Sequence, residues 1–345
     1  MTQINGITDF LTQAGTRFNV FDMGRRIEEI PPETFLAFEM SEIPWPFALQ
    51  QQAWLGIIVW TDEQDPADQD NELVIWFLRF PLDAAGKLTS GIRDDFVLRL
   101  INREGSPAQD EENNPYGFKP KQEHMAYFHA KAARLLGQPA SSYYEHARDY
   151  FAGRPGFDQW AFVGFQGIAD MSVRLDEDNN TALLCNALPE IPAQPFEALA
   201  QCLEHQKIDR PLSQAITGVL HKELEKTDTH ANLVSLCIRA LSNSQDQALL
   251  NDRITDVLNS DVSTHPEILA SISGRCWQTL HNESTLALYL EALSRCTEGQ
   301  EFFNLVVVDL INVPGMQESI LKAVKSPKRS ESLSSSIGGL FETFT

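Results

Sequence analysis

From about residue 156 onward the chain repeats itself, and the repeat length restricts the fold more than any other feature. Helix-like segments start near Phe157, Phe196, Leu233, Ile268 and Phe302, at intervals of 39, 37, 35 and 34 residues. A second set starts near Ala182, Leu212, Leu249, Leu286 and Ile320, at intervals of 30, 37, 37 and 34 residues. Each segment carries one apolar stripe, such as Leu212, Ala215, Ile216, Val219 and Leu220, or Ile268, Leu269, Ile272 and Cys276. Spacing of three and four places those side chains on one helical face. A lone helix cannot hide such a stripe from water, but stacked pairs of helices can. Residues 156–326 are therefore predicted to form an all-α solenoid.

The front of the chain has a different grammar. "ITDFLTQAG" sets Ile7, Phe10, Leu11 and Ala14 at helical spacing and stops at Gly15. "RFNVFDMGRRIEEI" alternates around an Asp-Met-Gly turn and reads as a hairpin. "PPETFLAFEM" opens a helix with proline and an early glutamate. Residues 51–61 and 72–82 form the best strand pair, joined by an acidic loop. The second of them, "LVIWFLRF", is apolar enough to be expected as a central strand covered on both faces, with Arg79 at its end and Pro81 closing the pairing. Two helices follow, "KQEHMAYFHAKAARLLG" and "SSYYEHARDYFAG", each closed by glycine. The expected organisation is an α+β domain with a small antiparallel sheet over 1–118, a helical connector over 119–155, the HEAT-like solenoid over 156–326 and a tail over 327–345. That tail, "SPKRSESLSSSIGGLFETFT", has the Ser/Gly composition of a flexible tether but ends in Leu340, Phe341 and Phe344.

The net charge of −21 disfavours broad binding to phosphate backbones, and it is shared between the halves, with −10 on residues 1–160 and −11 on the rest. No apolar run approaches the ~20 residues of a spanning helix, so no membrane association is expected. The start lacks the basic and apolar regions of a secretory signal. The five cysteines have no paired spacing and read as reduced, largely buried thiols. A cytoplasmic setting is expected.

Chemistry leaves few marks. The chain has no GxSxG elbow, phosphate loop or HExxH motif, and neither a catalytic residue, a metal site nor a cofactor is expected. His124 and His129 point to different helical faces, and His146 with Asp149 reads as a surface polar pair. The loop Asp62, Glu63, Asp65, Asp68, Asp70 lacks the glycine and closing glutamate of a calcium loop. The sharpest local cluster is "DMGRR" with "PWPFALQQQAW". It offers Asp22, Arg25, Arg26 and Trp45, residue types that favour recognition surfaces, although an internal Asp–Arg pairing and a tryptophan stapling its loop would explain them structurally. With Arg79, Phe341 and Phe344 they make up the candidate binding residues.

"FNVFDMGRRIEEI", "PWPFALQQQAWLGIIVW" and "WFLRFPLD" resemble a gammaproteobacterial family of proteins of about this length whose function is unknown, over nearly the whole chain. The resemblance implies a bacterial cytoplasmic setting and carries no catalytic residue, substrate or cofactor. The repeats resemble HEAT-like units in length, but an Asp followed by Val-Arg does not punctuate each unit. Only scattered cases such as "DMSVRL" and "LCIRAL" occur. The expected function is that of a non-enzymatic interaction or scaffold protein with a protein or peptide partner. The alternative is an enzyme acting on an anionic small molecule around Arg25, Arg26 and Arg79.

Overall fold

Among the described residues the strands lie at the front of the chain, between Thr16 and Pro81, where the alternation predicts them. The structure is a computed structural model that describes residues 4–61, 73–102 and 114–342. It divides into two units, Met1–Pro139 with Asn312–Pro314 and Ala140–Ile311 with Gly315–Thr345.

In the first unit, β1 (Thr16–Asp22), β2 (Glu28–Ile30), β3 (Gln52–Thr61) and β4 (Val74–Pro81) form an antiparallel sheet in the order β2-β1-β3-β4. Four helices flank it: α1 (Ile7–Gln13), α2 (Pro32–Glu39), α3 (Ser90–Asn102) and α4 (Gln122–Leu135). Val20, Leu55, Ile57, Trp76, Leu78 and Phe80 share a core with Ile7 and Leu11 of α1, Phe35 and Phe38 of α2, and Phe96 and Leu100 of α3. On the other sheet face the register sets Phe21, Gly56 and Phe77 in one row. Phe128 of α4 stands over that row, 5.3 Å from the rings of both Phe21 and Phe77. Glycine at 56 makes room for it: a Cβ there would lie 2.9 Å from the Phe128 ring and 3.1 Å from the Met23 sulfur. Helix α4, which sequence places in a connector, thus belongs to the first unit.

One expectation is corrected. β4 is an edge strand, and β3 is central beside it. The outer edge of β4 is closed by residues 116–118. Arg79 N donates to Tyr116 O at 2.7 Å and Phe118 N to Phe77 O at 3.2 Å. Phe118 also packs edge-on against Phe77. An apolar sequence on an edge is tolerated because its unpaired backbone groups are covered.

The elements of the second unit are helices: α5 (Tyr144–Phe151), α6 (Phe165–Val173), α7 (Asn180–Ala187), α8 (Ala193–Leu203), α9 (Arg210–Leu224), α10 (Ala231–Leu241), α11 (Gln247–Leu258), α12 (Pro266–Arg275), α13 (Glu283–Leu293), α14 (Gly299–Ile311), α15 (Met316–Lys325) and α16 (Glu331–Glu342). Short 3-10 turns occupy Phe157–Phe162 and Trp277–His281. The helices stack in two rows. Along one, α6 touches α8, α8 touches α10, α10 touches α12, α12 touches α14 and α14 touches α16. Along the other, α5 touches α7, α7 touches α9, α11 touches α13 and α13 touches α15. The stripes read from sequence lie inside: Leu212, Ile216 and Leu220, and Ile268, Leu269, Ile272 and Cys276, are all fully buried. The α5–α6 crossing depends on Gly167, where a Cβ would come within 2.4 Å of the Tyr143 carbonyl.

The C-terminal stretch also differs from its composition. Residues 331–342 form α16, with Leu333, Ile337 and Leu340 buried. Three apolar side chains at helical spacing fix a helix on the end of the array despite the serines and glycines around them.

Candidate functional site

β1 ends at Asp22, the turn that follows carries Arg25 and Arg26, and the 44–48 loop brings Trp45 to the same carboxylate. All four are interior, at 0, 0, 3 and 0% exposure. Asp22 Oδ2 accepts from the Gly24 and Arg26 backbone N–H groups, both at 3.1 Å. Its Oδ1 accepts from Trp45 Nε1 at 3.0 Å. Arg25 Nε donates to the Ala48 carbonyl at 2.7 Å. Trp45 itself packs on Phe38 of α2, their ring centroids 4.7 Å apart. The carboxylate therefore ties the strand end, the turn and the 44–48 loop into one knot. Burial pushes the Asp22 carboxyl up to about 7, against the opposing pull of its three N–H donors and of the Arg25 charge.

Arg79 lies elsewhere. Register pairs it with Trp54 across β3 and β4, and its guanidinium stands 5.2 Å from the centre of the Trp54 ring. It shares a sheet face with Phe77, opposite the face that carries Asp22, so it does not join the Asp22 cluster. Of the tail residues, Phe341 is 55% exposed on α16, and Phe344 lies outside the described residues. The acidic loop that joins the strand pair, with Asp62 to Asp70, also lies outside them. His146 is exposed, while Asp149 pairs with Arg154.

Sequence reading missed the strongest charge cluster of the second unit. Glu204, at the end of α8, is fully buried. Arg239 of α10 donates to its Oε2 at 2.5 Å, and Arg275 of α12 approaches its Oε1 at 3.0 Å. One carboxylate thus clamps the last turns of three successive helices of a row. A parallel pair stands at α6. Buried Asp170 is held by Arg174 at 2.9 Å and by the Ser141 hydroxyl at 2.6 Å. Hydroxyls add further bonds, Ser235 of α10 with Ser271 of α12 and Ser213 of α9 with Ser244 in the α10–α11 connection, each at 2.7 Å. The available sign was "DMSVRL" and "LCIRAL", which hold Arg174 just after α6 and Arg239 in the last turn of α10, the arginines of these two pairs.

At the C-terminal end of the array a cleft of about 490 Å³ opens between α13, α15 and the first turn of α16, lined by Ala287, Leu290, Lys322, Ala323, Arg329 and Leu333 among others. Lys322 pairs with Glu318 at 2.9 Å. Among the described residues no helix is long and apolar enough to cross a membrane.

No curated protein and no solved structure matches the chain. One family profile does, described as "Protein of unknown function (DUF3549)", over residues 2–341. That match runs through the sheet, the Asp22 knot, both helical rows and α16 almost to its end, and the chain belongs to this family.

Proposed function

We propose that the protein is a non-enzymatic interaction protein of the bacterial cytoplasm, a scaffold or adaptor whose HEAT-like helical array binds a protein or peptide partner. The observation that carries this reading is the two-row stack of the second unit. One row runs from α6 to α16 with each helix touching the next, and such an extended stack offers the long surface that helical arrays use for binding. Large apolar side chains stand out from that unit at Phe162, Leu305, Leu321 and Phe341, at 83, 62, 46 and 55% exposure.

The buried chemistry of the first unit supports the same reading. An enzyme acting on an anion around Arg25, Arg26 and Arg79 needs those cations to converge on an open pocket. Arg25 and Arg26 are interior, and Arg79 stacks on Trp54 on the opposite sheet face. Affinity purification of the tagged full-length chain from its native cells, followed by mass spectrometry, tests the proposal. A discrete protein recovered near equal stoichiometry is expected, and its recovery should fall when the exposed Leu305 of α14 is changed, Leu305→Asp. Recovery of the chain alone, across several growth conditions and with chemical crosslinking, argues against it.

A further inference from the structure

We infer that the surface beneath α16 is a docking groove for an amphipathic helix of a partner protein, and that α16 is its resident, displaceable occupant. This deepens the interaction reading and rests on it. α16 lies against α13 and α14 and inserts Leu333, Ile337 and Leu340, positions i, i+4 and i+7 of one helical face. That is the anchor pattern by which a helix fills an apolar groove.

The occupant is a poor helix for so well-formed a seat. Ser332, Ser334, Ser335, Ser336, Gly338 and Gly339 make up half of its twelve residues, and serine and glycine are weak helix formers. Its polar attachments lie near water. Ser330 donates from its backbone N–H and its hydroxyl to Glu291 at 3.0 and 2.6 Å, Ser332 Oγ donates to the Ser294 carbonyl at 2.9 Å, and Gln300 Nε2 donates to the Ser336 carbonyl at 2.8 Å. Water can replace each of these bonds.

The fit is also incomplete. Beside the Leu333 end of α16 a cleft of about 490 Å³ stays open between α13 and α15, walled by Ala287, Leu290, Ala323 and, from α16, Leu333. A partner helix with the same i, i+4, i+7 anchors, and one more apolar side chain reaching into this cleft at the Leu333 end, would bury more surface than α16 does.

The test uses a fluorescein-labelled peptide of residues 330–342 carrying Gly338→Ala, titrated by anisotropy into three full-length chains. In wild type α16 competes with the peptide. In the Ile337→Asp chain the resident helix loses its central anchor. In the Gly338→Ala chain it is firmer, since a Cβ at that position meets open space. The peptide should bind at least tenfold more tightly to the Ile337→Asp chain than to wild type, and severalfold more weakly to the Gly338→Ala chain. Hydrogen exchange on wild type supplies a second readout: amides of α16 should exchange far faster than those of α14. Equal affinity for all three chains, or α16 amides as protected as those of α14, overturns the inference. A natural partner captured equally by all three chains overturns the groove while leaving the interaction reading intact.

Discussion

Asp22→Asn separates the two forces acting on the buried knot of the first unit. Burial holds the carboxyl at about 7 in the fold, against 3.8 for the free side chain. Between those values the folded state binds more protons than the unfolded state, so stability falls as pH rises through the window. At about 1.4 kcal/mol per pH unit, ionising Asp22 weakens the fold by about 4 kcal/mol above pH 7 relative to pH below 3.8. Asparagine removes that dependence. It also places an N–H₂ group where Oδ1 or Oδ2 accepts from Trp45, Gly24 and Arg26, and a buried donor facing a donor costs about 1–3 kcal/mol. The variant should therefore be less stable than wild type by about 1–3 kcal/mol at pH 4, and more stable by a similar amount at pH 8. Urea unfolding followed by tryptophan fluorescence at the two pH values measures both differences. A loss of the same sign and size at both values would refute the reasoning. It would mean that the three N–H donors and Arg25 keep the carboxylate ionised throughout.

Gly56→Ala should destabilise the first unit by about 1–3 kcal/mol in urea unfolding, because the new methyl meets the Phe128 ring at 2.9 Å in a row already filled by Phe21 and Phe77. Glu204→Gln should cost roughly 3 kcal/mol, since it leaves Arg239 and Arg275 without the buried counter-charge that joins α8, α10 and α12; a cost below about 0.5 kcal/mol would show the clamp to be unimportant. Of the five cysteines, only Cys185 is partly exposed, and burial raises the thiols of Cys202 and Cys237. A thiol reagent should therefore modify no more than Cys185 in the native protein and all five cysteines in denaturant.

Period made the second unit legible. Every segment start named from the stripes falls in or beside a helix, because a stripe at spacing three and four has only one way to leave water. The 3-10 turn at Phe157–Phe162 shows the limit, since α6 proper begins at Phe165. The first unit was legible strand by strand but not in its order. The apolar run of β4 looks the same whether another strand or residues 116–118 cover its edge, and no local pattern marks that segment as a cover. The Asp22 knot was half legible. Asp22, Arg25 and Arg26 crowd one turn in sequence, whereas their burial depends on Trp45, 23 residues away. Glu204 carried no local mark at all, because Arg239 lies 35 residues downstream on another helix. In α16, Leu333, Ile337 and Leu340 outweigh a composition that favours a tether, and side-chain spacing was the better guide.

The central claim, that the helical array binds a protein rather than the chain turning over a small molecule, is tested most directly with the purified chain and the captured partner side by side. Calorimetry should show the partner binding at a fixed stoichiometry, with a negative heat-capacity change from apolar burial. The chain incubated with a cell-derived mixture of anionic metabolites should leave their concentrations unchanged over hours. Time-dependent consumption of one metabolite, abolished by Arg79→Ala and unaffected by partner, would contradict the account.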